Sequence, residues 1–113
     1  MQSFFCVFLG SGLGGVLRWL LSGWLNGVHP IGTLAVNVFG CFVLGALTKF
    51  APGSESTRLL LMTGLCGGFT TFSTFINENV LMLRTGQLLM PIAYMVISLV
   101  GGLLACAAAY KLF

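Results

Sequence analysis

Within the third apolar stretch of this 113-residue chain runs Gly67-Gly68-Phe69-Thr70-Thr71-Phe72-Ser73-Thr74-Phe75, a segment with two glycines, four hydroxyl side chains and three phenylalanines. A helix that merely anchors a protein in lipid has no use for this set. Hydroxyls donate hydrogen bonds, and a phenyl ring is negative on its face and positive at its edge. Together they can replace the water around a small solute. At about 100° per residue, Thr70, Ser73, Thr74 and Asn77 fall on one face, with Phe72 and Phe75 roughly opposite. Paired glycines loosen a spanning helix, and freed carbonyls are tolerated only where they line a cavity or coordinate something. The segment therefore predicts a permeation path beside a helix break near Gly67-Gly68.

Other polar residues stand at isolated points in apolar surroundings. Asn37 is the only strongly polar side chain in the interior of the second stretch. Taken alone its amide favours helix-to-helix adhesion, and it also offers donors to an anion or an oxygen to a cation. Glu78 closes the polar stripe; an intramembrane carboxylate is a functional candidate, and its place near a helix end fits a solvated vestibule. Tyr94 and Ser98, four residues apart, share a helical face that extends the polar track or simply packs. Arg18 either snorkels toward the interface or binds backbone carbonyls within the bundle. Gly10, Ser11, Gly14 and Gly15 make small-x-x-x-small spacing, which lets another backbone approach inside the subunit or between subunits.

The elements that must position these residues are legible from composition. Hydrophobic side chains make up 58% of the chain and charged ones 6%, against about 25% charged in soluble domains. Four apolar stretches, 4–25, 32–50, 57–83 and 88–112, each meet the roughly 20 residues that a helix needs to cross a bilayer. The connections are short and rich in turn residues: Asn26 to Pro30, Ala51 to Ser56 and Arg84 to Gln87. This predicts an all-α membrane protein, a single four-helix transmembrane domain over 1–113, with the third helix broken. Four helices fill their common axis with side chains, so an oligomer is the natural way to enclose a pore.

Both termini then lie on one side with Lys49, Arg58 and Lys111, while Arg18 and Arg84 lie toward the other. That near balance permits insertion in both orientations. Cys6, Cys41, Cys66 and Cys106 are scattered through apolar segments as small packing residues. His29 sits in a turn, and no His or Cys ligand cluster, Ser-His-Asp set or phosphate loop appears. Neither enzymatic activity nor a nucleic-acid partner is expected.

Three patches resemble the fluoride channel family known as Fluc or CrcB: Gly14-Gly15-Val16-Leu17-Arg18-Trp19, Gly32-Thr33-Leu34-x-x-Asn37-x-x-Gly40, and the run from Gly64 to Phe75. The third patch is the specific one, and the order of all three extends the resemblance over essentially the whole chain. The resemblance implies an antiparallel, dual-topology homodimer in the inner cell membrane, multi-pass, with two pores for passive fluoride export. It implies that Asn37 lines each pore, that Phe72 and Phe75 present ring edges to the ion, and that Ser73, Thr74, Tyr94 and Ser98 form a polar track. It puts Glu78 at an acidic position close to the pore. It also implies a structural sodium ion at the dimer centre, held by backbone carbonyls of Gly67 and Thr70. Trp19 stands where the family commonly has another aromatic, away from the pore positions.

Two other classes fit four small helices. A multidrug-exporter-like cation/proton antiporter needs a deep carboxylate in its first helix, where this chain has Arg18 and no acid. A non-transporting membrane scaffold explains the glycine faces but leaves the polar and aromatic run without a purpose.

Overall fold

The computed structural model describes residues 1–27, 30–50 and 53–112; the expected turn residues Val28, His29, Ala51 and Pro52 lie outside them. Helix α1 runs Gln2–Leu25 and α2 Ile31–Phe50. The third span, Glu55–Arg84, is built from α3 (Glu55–Arg58), a π-helical segment (Leu59–Cys66), α4 (Gly67–Phe69), and α5 (Ser73–Arg84). The last helix, α6, covers Leu89–Leu112. All four spans are long and apolar enough to cross a membrane, and their ends agree with the expected stretches within two residues. Among the described residues there is no strand.

Local chemistry accounts for the ends. The Ser54 hydroxyl accepts the Thr57 amide at 3.3 Å and starts α3, while Glu55 and Arg58 suit the two ends of the helix dipole. After Arg84 the chain turns at Gly86, whose φ of +86° is a left-handed conformation that glycine adopts without a steric cost. The Gln87 amide reaches back to the Met82 carbonyl at 3.1 Å, closing the helix with a Schellman-type bond.

The third span has 30 residues, and as a straight helix it would be about 45 Å long, well beyond the hydrocarbon thickness. It is interrupted, but not where the paired glycines suggest. Gly67 and Gly68 are helical, and the chain leaves the helix at Thr70 (φ −87°, ψ 157°), resuming at Ser73. The break expected near Gly67-Gly68 is therefore corrected to Thr70–Phe72. The physical reason is that Gly68 serves a helix crossing: a Cβ there would lie 2.5 Å from the Ser11 carbonyl oxygen of α1.

That crossing is the tightest part of the fold. A Cβ on Gly10 would strike the Leu60 carbonyl, and one on Gly14 would strike the Leu65 carbonyl and approach the Phe69 nitrogen to 2.7 Å. The Gly10/Gly14 stripe thus packs backbone against backbone inside the subunit, as small residues do in lipid, where apolar surface alone does not drive helices together. On the other side α2 lies along α6, with Gly45 against the Cys106 carbonyl. Few large apolar chains are buried; Val36, Cys66, Phe69 and Tyr94 are, while most Leu, Ile and Phe side chains point outward. In water this would be an inverted protein; in hydrocarbon it is the expected exterior. The longest dimension is 48 Å, enough to cross a bilayer with its headgroups.

Candidate functional site

The break frees backbone groups in the middle of the third span, and α2 supplies what pairs with them. Asn37 Oδ1 accepts the Thr71 amide at 2.7 Å, and its Nδ2 donates to the Thr71 carbonyl at 3.0 Å. Only one orientation of the amide allows both bonds. Each unpaired backbone group in lipid costs several kcal/mol, so this clamp holds the extended link in place. Among the described residues the second hydrogen on Nδ2 has no partner, and Asn37 borders a cavity of about 580 Å³. One asparagine therefore does what adhesion requires and still has a donor left.

The same diversion takes their helical amide partners from the carbonyls of Gly67 and Thr70. In an unbroken helix the amides of Thr71 and Thr74 would close on the carbonyls of Gly67 and Thr70. Here Thr71 N–H goes to Asn37, and Thr74 N–H goes to the Thr71 hydroxyl at 3.3 Å. Gly67 and Thr70 both border the cavity. Neutral oxygens of this kind suit a hard cation. Among the described residues no cluster of His, Cys, Asp or Glu offers a competing metal site.

Phe72, Phe75 and Ser98 also line this cavity. The two phenyl rings are 6.0 Å apart and tilted by 43°. Phe72 is 74% exposed on the single chain, whereas the Ser98 hydroxyl is buried with no hydrogen-bond partner among the described residues. Ser73 and Thr74 do not line it. Ser73 lies 3.5 Å from the Thr71 hydroxyl, and that hydroxyl accepts the Thr74 amide, so this group organises the start of α5. Thr70 turns its hydroxyl back to the Cys66 carbonyl at 3.0 Å, as buried threonines commonly do.

A second polar cluster sits toward the end of the bundle where α1 finishes and α2, α6 begin. Glu78 Oε1 accepts the Tyr94 hydroxyl at 2.8 Å, and Oε2 accepts the Thr33 hydroxyl at 2.9 Å and the Asn26 amide at 3.4 Å. Thr33 is fully buried and Tyr94 nearly so. Tyr94 joins this cluster to the cavity, since its ring meets Phe75 edge-on at 4.9 Å. Thr33 and Asn26 were not among the expected site residues. Thr33 stands four residues before Asn37 and so shares its helical face, a signal the sequence does carry. Asn26 reads only as a turn residue.

Arg18 is half-buried, and its Nε donates to the Gly68 carbonyl at 3.2 Å. The helical partner of that carbonyl, the Phe72 amide, lies at the far side of the break. The arginine therefore satisfies backbone within the bundle. The geometry as a whole is a polar cluster around Glu78, a tyrosine–phenylalanine contact, and a cavity with a few donors set in an apolar wall.

Known proteins with related sequences bear on this arrangement. The family described as CrcB-like protein, Camphor Resistance (CrcB), matches residues 5–110. A protein of Serratia proteamaculans named fluoride-specific ion channel FluC is 40% identical, with 99% of this chain and 94% of that protein covered. Proteins of the same name from Klebsiella pneumoniae and Phocaeicola vulgatus are each 43% identical, covering 95% and 92% of this chain and 90% and 92% of their own lengths.

Proposed function

The chain belongs to the CrcB family, and we infer that it is a fluoride-selective channel through which cytoplasmic fluoride leaves passively. The observation that carries this reading is Asn37 clamped across the break with one amide hydrogen to spare, beside Phe72, Phe75 and the unpartnered Ser98 hydroxyl around one cavity.

Fluoride is small and strongly hydrated, so a narrow path must give back what its water shell gave. At the cavity, Asn37 and Ser98 donate hydrogen bonds and the phenylalanine edges supply positive potential without offering a competing acceptor. The donors are few and fixed, which favours the smallest halide over larger ones. Ser73 and Thr74 act by holding the start of α5 and the Phe72–Phe75 pair. Tyr94 and Glu78 belong to the mouth, where the Tyr94 ring touches Phe75.

The working unit is an antiparallel homodimer in the inner cell membrane, with two pores. Support comes from the exposure of Phe72, a phenyl ring beside the cavity, and from the near-even split of Lys and Arg between the ends. A sodium ion at the dimer centre would be held by the Gly67 and Thr70 carbonyls of both subunits. When bound, it would neutralise converging carbonyl dipoles and hold the two breaks together.

Protein purified into liposomes tests the central reading. It releases fluoride without ATP or a proton gradient and retains chloride; equal flux of the two ions defeats the proposal. Single-cysteine labelling in the first loop, in a background stripped of native cysteines, reports on both sides of the membrane if the dimer is antiparallel, and on one side if it is parallel. Exhaustive replacement of sodium by a large organic cation lowers flux or dimer stability; no change in either removes the ion from the account.

A further inference from the structure

An anion path that keeps a carboxylate in its mouth needs a means of neutralising it, and the arrangement around Glu78 supplies one. Asn26, the residue that ends α1, bonds Thr33 twice. Its Oδ1 accepts the Thr33 amide at 3.1 Å, and its Nδ2 approaches the Thr33 hydroxyl oxygen at 3.3 Å. An amide N–H can only donate, so Oδ1 must face Thr33 N–H, and Nδ2 must face the hydroxyl and Glu78. Once the Thr33 oxygen accepts from Asn26, its single proton is directed to Glu78 Oε2, 2.9 Å away. Gly32 preserves this approach, because a Cβ there would lie 2.8 Å from Asn26 Oδ1.

We propose that Asn26 is a positioning residue of the conduction path: it sets the direction of the Thr33 hydroxyl and thereby holds the Glu78 carboxylate in a clasp of three donors, out of the way of a passing anion. The charge on Glu78 is then saturated by Thr33, Tyr94 and Asn26. Without the clasp the carboxylate swings toward the Phe75 side of the mouth and repels the ion the channel carries. The proposal rests on the fluoride-channel reading, and it separates Asn26 from a residue that merely caps α2.

Asn26→Asp distinguishes the two roles. Aspartate accepts the Thr33 amide as well as asparagine does, so a capping role predicts a normal protein. A clasp role predicts otherwise, since a second carboxylate near Glu78 cannot donate and competes for the Thr33 proton. Fluoride efflux from liposomes and thermal unfolding are measured for wild type, Asn26→Asp, Glu78→Gln and the double variant Asn26→Asp/Glu78→Gln. The expected result is Asn26→Asp that folds with lowered stability and with flux lowered about tenfold or more, and a double variant restored in both readouts to the level of Glu78→Gln. Asn26→Asp conducting like wild type, or a double variant no better than Asn26→Asp, overturns the proposal. Should Asn26→Asp fail to fold, the double variant decides alone: it carries one carboxylate facing one amide and is expected to fold and conduct like Glu78→Gln, and its failure also overturns the proposal. A wild type that passes no fluoride would instead defeat the channel reading itself.

Discussion

The two halves of the third span are held by opposite means. The first half, through the π-helical segment and α4, lies on α1 with almost no side chain between the backbones; Gly10, Gly14, Gly64 and Gly68 form the contact. The second half, α5, has no such contact. It is tied to its neighbours by side chains: Asn37 at the link before it, and Thr33 and Tyr94 on Glu78. Close packing of small residues gives rigidity without specificity for a solute. Hydrogen bonds between helices cost more to assemble but leave donors that a solute can use. The first half is held by backbone packing, and the second half by side-chain hydrogen bonds around the cavity and Glu78.

This contrast is open to direct attack. The largest effect is expected in the anchored half. Gly14→Leu forces a branched side chain onto the Leu65 carbonyl, which belongs to a backbone with nowhere to move. It costs about 3 kcal/mol or more and leaves no folded protein to assay. Gly12→Leu, two residues earlier with nothing within 4 Å of its Cβ, folds normally. Detergent-resistant folding by circular dichroism compares the two, and equal behaviour would show that the crossing is not what anchors this half.

Asn37→Ala is next. It leaves both Thr71 backbone groups unpaired, at about 1–3 kcal/mol each, and removes a donor from the cavity. Stability falls moderately while fluoride flux drops to background. Wild-type flux with lowered stability would reduce Asn37 to adhesion alone.

The smallest structural effect with a clear functional one comes from Phe72→Ile and Phe75→Ile. Each retains most of the apolar volume and loses the ring quadrupole. Folding is expected to change by less than about 1.5 kcal/mol, while flux falls severalfold. Phe75→Ile is expected to be the more severe, because it also breaks the edge contact with Tyr94. Unchanged flux in both variants would return the rings to packing.

How much of this was legible depended on whether a residue acts alone or through a neighbour distant in sequence. The four spans were readable because transfer of apolar side chains into hydrocarbon depends on composition and length only. Asn37, Phe72, Phe75 and Ser98 could be singled out because polar and aromatic residues stand out against an apolar run, and the structure brings these four to one cavity. The break was misread by three residues. A glycine that frees a backbone and a glycine that admits a neighbour look identical in sequence, and only the presence of Ser11 opposite Gly68 tells them apart. Asn26 was missed for a similar reason: its partners Thr33 and Glu78 are 7 and 52 residues away.

By itself, then, the sequence determined that this chain crosses the membrane four times, that its third crossing is interrupted, and that a few donors and aromatic rings gather near the interruption. The tertiary structure decided which backbone groups the interruption exposes, which side chains consume them, and which donors remain free. Burial in lipid is a property of a segment, whereas hydrogen-bond satisfaction is a property of pairs, and the pairs here are formed across helices.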